Sequence, residues 1–315
     1  MNFKSIDYFL TVAREQSITK AASLLHITQQ TLSADIAALE RELGHTLFLR
    51  RVPLQLTYAG EVFLRYAEEF QQSRRTMERE FADISGSQKG ILRIGVTFAR
   101  GRALMPPLIA AFQQQYPRME IHLVEATNEQ LHQHLMDGSV DLAIANLPQS
   151  ANVVLHPFYR ENWILLAADP LLERLWGSRR TEMLQRLQAG DFSPLADCPF
   201  VLGIPDDIGG SFGRQFLRQQ RLQPPVKAQS ENLDTLLDLC VMGIGACFAP
   251  DNLIPASLAH LHRITLPNAE YQLYFGIKKG GYQWKMVDAF VETALQCFPE
   301  LTRNSIPQTE FLPKA

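Results

Sequence analysis

Four uncharged hydrogen-bonding side chains stand close together at Gln29, Gln30, Thr31 and Ser33, directly after Thr28. An amide presents a donor beside an acceptor, which suits the edge of an adenine, and a hydroxyl can serve several bases. Such a row can read a nucleic acid only if an element holds it outward at fixed spacing. The flanking residues supply one. Thr28 is placed as a helix N-cap, Leu32, Ile36, Leu39 and Leu43 follow at helical spacing, and Gly44 sits where a C-cap glycine belongs. Upstream, Ser17 opens a shorter helix with Ala21, Ala22, Leu24 and Leu25 on one face, and Phe3, Ile6, Phe9, Leu10 and Ala13 mark a helix before it. The two alanines let neighbouring helices cross closely. Two compact helices joined by a short turn at His26-Ile27 form a helix-turn-helix, whose second helix can enter a major groove. A solvated first turn is the plainer account of the same polar residues.

The next stretch favours the sharper account. Leu47-Phe48-Leu49-Arg50-Arg51 and Leu54-Gln55-Leu56 read as two short strands with a turn near Pro53, and Thr57 caps a new helix. Arg50 and Arg51 on such a wing are placed for phosphates. The chain resembles the LysR-type transcriptional regulators. The resemblance rests on Ile6 to Ala13, Ser17-Ile18-Thr19-Lys20-Ala21-Ala22, Thr28-Gln29-Gln30-Thr31-Leu32-Ser33, Leu39-Glu40-Arg41-Glu42-Leu43-Gly44, Leu47-Phe48-Leu49-Arg50 and Leu56-Thr57-Tyr58-Ala59-Gly60. It continues more weakly to the end of the chain. At Ala34 and Asp35 the sequence departs from residues common in that family, so the set of base contacts is left open.

The fold expected is an N-terminal all-α winged helix-turn-helix over residues 1–60, with a linker helix and hinge over 58–87. Residues 90–300 follow as an α/β effector domain, and 301–315 as a C-terminal tail. Tyr58 to Ser85 holds no proline and no interior helix break after Gly60, and Phe63, Phe70, Met77 and Ile84 recur as a heptad, with Ala67 and Phe81 alongside. In the resembled family this helix pairs two subunits, which implies a homodimer, and in some relatives a homotetramer, bound to two half-sites of double-stranded DNA. Packing within one subunit is the alternative. Gly86-Ser87-Gln88-Lys89-Gly90 is polar and glycine-rich, as a hinge would be. Strands and helices then alternate, which implies a parallel sheet with helices on both faces. Expected strands include Ile91 to Val96, Glu120 to Val124, Val140 to Ala145, Phe200 to Leu202, Ala246 to Phe248 and Tyr271 to Ile277. Expected helices include Leu104 to Gln115, Glu129 to Met136, Ser211 to Gln220, Leu233 to Met242 and Met286 to Cys297. The resemblance implies a two-lobed, periplasmic-binding-protein-like arrangement, lobe I about 90–161 and 268–300 and lobe II about 162–267. Leu171 to Asp197 is longer than usual in that family, with an extra amphipathic piece at Arg179 to Ala189.

Ligands of open parallel sheets bind beyond the carboxyl ends of the strands. The residues there are Thr97, Phe98 and Arg100 after the first strand, Asn128 after the second and Asn146 after the third. Gly203, Ile204 and Pro205 follow in the second lobe, and Glu231 and Phe248 end two further segments. The resemblance puts Thr97, Arg100, Asn128, Gly203 and Pro205 on the effector cleft. A hydroxyl, a guanidinium and a helix start suit a small organic anion, a carboxylate first of all. A neutral or apolar effector held by Phe98, Ile204 and Phe248 is the alternative. Thr97 and Asn128 could act only as caps, and Glu231 could pair with a Lys or Arg.

Other classes lack residues to carry them. The net charge is only −3, and residues 1–60 are nearly balanced, so a DNA reading rests on placement of charge. There is no GxSxG, P-loop or HExxH, so no enzyme is expected. His132 and His134 would face different sides of a helix, and Cys198, Cys240, Cys247 and Cys297 form no close pair, so no metal and no cofactor are expected. The cysteines read as small hydrophobes in a reducing cytoplasm. Phe3 to Ala13 is amphipathic and carries Asp7, unlike a secretory segment, and no stretch approaches a membrane helix. A transport receptor, or a regulator that has lost ligand sensing, are the competing functions.

Overall fold

The computed structural model describes residues 2–205 and 208–302. The expected tail beyond 302 lies outside the described residues. The chain divides into two units, one ending at Ser87 and the other beginning at Gln88.

In the first unit, α1 (Phe3–Glu15), α2 (Ile18–Leu24) and α3 (Gln29–Leu43) are followed by β1 (Phe48–Leu49), β2 (Gln55–Leu56) and the long α4 (Tyr58–Ile84). The expected caps form. Ser17 accepts from the N–H of Lys20, Thr28 from Thr31 and Thr57 from Gly60, while Gly44 closes α3 at φ 72°. Phe9 anchors the core, in edge contact with Phe63 at 4.7 Å and tilted on Phe48 at 5.1 Å. Ala21, Leu32, Leu39 and Ala67 are buried around it. The wing is fixed to α3 by Glu40, whose Oε1 accepts the N–H groups of Leu47 at 2.7 Å and Phe48 at 3.2 Å. Gly60 lets α4 touch the wing, because a Cβ there would lie 2.1 Å from the Leu47 carbonyl oxygen. The middle of α4 is tied to α1 through Asp7, which accepts from Arg74 at 2.9 Å and 3.2 Å and from Gln71 at 3.2 Å.

The expected heptad is thereby split. Phe63 belongs to the core of its own domain, whereas Phe70, Met77 and Ile84 stay exposed, together with Tyr66 and Phe81. The reason is that α1 packs on the helix only as far as Arg74, on the face that carries Phe63 and Ala67, and among the described residues the stripe lies outside that contact.

In the second unit, β3 (Gly90–Val96), α5 (Phe98–Gln115), β4 (Met119–Glu125), α6 (Asn128–Met136) and β5 (Leu142–Ala145) form the first alternating set. The long β6 (Val153–Ala167) leads to α7 (Asp169–Trp176), α8 (Arg180–Gln188), β7 (Phe200–Leu202), α9 (Ile208–Gln219), β8 (Val226–Gln229), α10 (Leu233–Val241) and β9 (Cys247–Pro250). The equally long β10 (His262–Lys278) returns to α11 (Lys285–Cys297). One sheet runs β4-β3-β5-β10-β6-β9, parallel from β4 to β5 and antiparallel beyond, and β7 pairs with β8 separately.

Two details depart from expectation. First, β6 and β10 do not stop at a lobe boundary. They pair from Lys278↔Val153 to His262↔Ala167, with register shifts between Thr265 and Glu270 and between Gln272 and Tyr274. One core, around Phe112, Phe158, Phe275 and Phe290, lies toward one end of this pair. Another, around Phe200, Phe216 and Phe248, lies toward the other. Second, α5 starts at Phe98 rather than Leu104 and carries Pro106 and Pro107 inside it. Its buried face includes Arg100 and Gly101, which a search for apolar periodicity does not register. The extra segment supplies Leu171, Leu172, Leu187, Phe192 and Leu195 to the second core.

Candidate functional site

The polar row on α3 begins with side chains that are already engaged. Thr28 accepts from the Thr31 N–H at 3.1 Å, and the two hydroxyls lie 2.8 Å apart. The hydroxyl of Thr19 donates to Gln29 at 3.1 Å, joining α2 to α3. Gln30 is exposed and Ser33 half-buried, and neither side chain has a partner among the described residues. Arg50 and Arg51 are exposed on the wing, with no ion pair among the described residues.

In the second unit, a cavity of about 250 Å³ opens at the carboxyl ends of β3 and β4. Thr97, Phe98, Arg100, Asn128, Gly203, Ile204, Glu231 and Phe248 line it, together with Ala99, Glu129, Trp163 and Leu236. Asn146 and Pro205 do not. Asn146 is occupied in the frame, its amide donating to the Gln272 carbonyl at 3.1 Å and its N–H to Asn128 at 3.0 Å. Asn128 is therefore not the cap expected. Thr127 caps α6 in a reciprocal box with Gln130.

The floor of the cavity is a chain of buried polar groups. Arg100 is 7% exposed, and its Nε and Nη2 meet the two oxygens of Glu161, which is 1% exposed, at 2.9 and 2.5 Å. Its Nη1 donates to the Thr97 hydroxyl at 2.8 Å. Thr97 heads α5 but makes no side-chain cap, so the Phe98 and Ala99 N–H groups keep their capacity for a ligand. Tyr159 donates to Glu161 at 2.9 Å and receives Asn252 at 3.2 Å. Burial, reinforced by the Glu161 charge, holds the Tyr159 phenol well above its usual pKa and so protonated as a donor. The expectation that Arg100 offers a free fork to an anion is corrected here: a carboxylate of the chain already fills it. Glu231, by contrast, makes no hydrogen bond or ion pair among the described residues.

The wall from the other lobe is held rigidly. Arg214 donates to the Gly203 carbonyl at 2.8 Å and to Gln229 at 2.7 Å. Gly210 seats α9 against the same turn, where a Cβ would fall 1.8 Å from the Ile204 carbonyl oxygen. Residues 206–207, between them, lie outside the described residues. Trp163 packs on Phe212 at 5.2 Å, and its buried indole N–H has no partner.

Glu161 and Trp163 went unassigned in the sequence, yet a signal was present. Tyr159, Glu161 and Trp163 alternate with exposed Arg160 and Asn162 along β6. A carboxylate in the inward register between two aromatics needs a buried cation, and only the packing of α5 on the sheet shows that it is Arg100. Burial pushes the Cys198 thiol up to about 12, and the Cys247 thiol is raised by its hydrogen bond with Cys240 and by burial. Among the described residues no helix is long and apolar enough to cross a membrane, and no group of His, Cys, Asp and Glu could hold a metal.

A winged helix-turn-helix followed by a two-lobed α/β domain with a cleft defines a DNA-binding regulator equipped to sense a small molecule. Residues 3–61 match the bacterial regulatory helix-turn-helix family of lysR type, and residues 85–298 match the LysR substrate binding domain. The chain belongs to the LysR family of transcriptional regulators, and is thus no enzyme. It is 30% identical to the HTH-type regulator YcgK of Bacillus subtilis over 98% of this chain and 96% of that one. It is 26% identical to the transcriptional activator IlvY of Haemophilus influenzae over 92% and 98%. The fold is that of full-length CbnR complexed with its target DNA, at a TM-score of 0.63 and 21% identity over 94% and 100%.

Proposed function

We propose that this regulator reads double-stranded operator DNA as a homodimer and answers to a small carboxylate-bearing effector held in the cleft. The observation that carries the effector reading is the uncapped start of α5, whose Phe98 and Ala99 line the cavity and keep N–H groups for an acceptor. Arg100 contributes by orienting Thr97 rather than by meeting the anion. The exposed stripe of Tyr66, Phe70, Met77, Phe81 and Ile84 supports pairing through α4. Association of two such dimers into a homotetramer is compatible with this reading, and the site of action is the cytoplasm.

On the DNA, Gln30 and Ser33 are the contacts with free hydrogen-bonding capacity, flanked by Thr28, Gln29 and Thr31, while Arg50 and Arg51 take phosphates. Gln30→Ala is expected to cost about 1–3 kcal/mol on the operator and much less on random DNA. Arg50→Ala should weaken binding to every sequence and flatten its salt dependence. Titrations at two salt concentrations on both DNAs measure this, and equal losses for Gln30→Ala on operator and random DNA would reject α3 as the reading helix.

The effector reading is tested by genome-wide footprinting followed by a metabolite screen on the resulting operator. Carboxylates are expected to raise the melting temperature and alter the footprint. Ala99→Trp, which fills the cleft, should abolish both responses and leave unliganded operator binding intact. Responses that survive Ala99→Trp would place the effector elsewhere.

A further inference from the structure

The charges lining the cleft do not balance. Arg100 is the one cation among the lining residues, and Glu161 neutralises it from behind. Two more carboxylates line the same cavity, Glu129 from α6 in lobe I and Glu231 ahead of α10 in lobe II. Both are exposed, and neither has an ion pair or hydrogen bond among the described residues. Each stands near a helix N-terminus, which stabilises its charge without occupying its oxygens. A simple anion would enter a site whose uncompensated charge is already negative, so the donors at the start of α5 describe only part of the ligand.

We infer that the effector is a zwitterion of the amino-acid class, its carboxylate on the Phe98 and Ala99 N–H groups at the start of α5, and its protonated amine between Glu129 and Glu231. The inference rests on the cleft being the effector site. Phe98, Trp163 and Phe248 complete the lining with aromatic surface, which favours an ammonium beyond what the carboxylates supply. The cavity, about 250 Å³, suits a molecule of that size. The arrangement also gives the ligand a means of acting. Glu129 and Glu231 come from opposite lobes, so an empty cleft sets two like charges facing one cavity, whereas a bound ammonium attracts both. Binding would therefore favour the closed arrangement by differential affinity for it.

The test uses the full chain and a matched panel: the twenty standard amino acids, each beside its deaminated acid and its decarboxylated amine. Binding is followed by tryptophan fluorescence and thermal shift. At least one amino acid is expected to bind, and its deaminated acid to bind on the order of tenfold more weakly, the scale of one charge-assisted contact. Glu231→Gln and Glu129→Gln should each lower affinity for the amino acid by a similar factor, and the double variant should erase its advantage over the deaminated acid. Deaminated acids that bind as tightly as their amino acids, or Gln variants that leave the preference unchanged, overturn the zwitterion, as does a panel in which no amino acid binds. The Ala99→Trp response to metabolites then decides independently whether the cleft is the effector site at all.

Discussion

Glu161→Ala is expected to destabilise the effector-binding unit by about 3–5 kcal/mol, because it leaves the Arg100 guanidinium buried without its counter-charge. The pair lies almost wholly out of water, with Arg100 7% and Glu161 1% exposed, so solvent cannot replace the lost carboxylate. The loss extends to Tyr159, whose hydroxyl donates to the same oxygen that receives Arg100 Nε. Removing both charges is a different experiment. Arg100→Met with Glu161→Leu should recover most of the stability, since a buried pair and a well-packed apolar pair are often close in free energy. All three tryptophans, Trp163, Trp176 and Trp284, lie in the second unit. Urea unfolding followed by tryptophan fluorescence therefore reports on that unit alone. A Glu161→Ala midpoint equal to that of the parent would refute the assignment of the pair as a buried charge couple.

Phe70→Glu is expected to break the proposed dimer, at a cost of several kcal/mol in association, since it sets a charge in a helix seam that otherwise excludes water. Every 1.4 kcal/mol is a factor of about ten in the dissociation constant, so the species seen at micromolar concentration should change from dimer to monomer. Phe70 suits this test because it is exposed in the single chain, so the change does not disturb the core of the first unit. Phe63→Glu would not serve, because Phe63 packs edge-on against Phe9. Sedimentation velocity reads the outcome, with loss of operator affinity as its companion. A dimer of unchanged strength would show that the Tyr66 to Ile84 stripe is not the seam.

The elements were largely legible because local signals agreed with the fold. Ser17, Thr28, Thr57 and Gly44 each do in the structure what a cap residue is expected to do. Thr97 and Asn128 mark the limit of that reasoning. Both stand at helix starts, yet Thr97 binds Arg100 and Asn128 binds the Asn146 backbone, and Thr127 takes the cap one residue earlier. Local sequence cannot rank two adjacent polar residues when tertiary partners compete for one of them. The cleft was legible as a set of strand ends, and most of those residues do line it. Its charge was not, because Arg100 and Glu161 are far apart in the chain and meet only across the folded sheet. A guanidinium read alone suggests an anion; read with Glu161, it is part of the wall.

The two long strands have a consequence for how the protein is made. β10 lies between β5 and β6 in the sheet, although most of lobe II separates it from β6 in the chain. Until its residues leave the ribosome, β5 presents an open edge where Phe275 and Gly276 later pair with Ile144 and Ala143. Open edges invite pairing with other chains. Closing the intervening loop costs little more than closing a shorter one, since the entropy grows only as the logarithm of length. If the segment from Ala168 to Leu261 condenses first around Phe200, Phe216 and Phe248, it draws its two ends together at Ala167 and His262 and shortens the gap further. The pair can then zip from that junction toward Val153 and Lys278. The six-stranded sheet becomes complete only once this late strand is in place, so a nascent chain finishes its second unit well after its DNA-reading head.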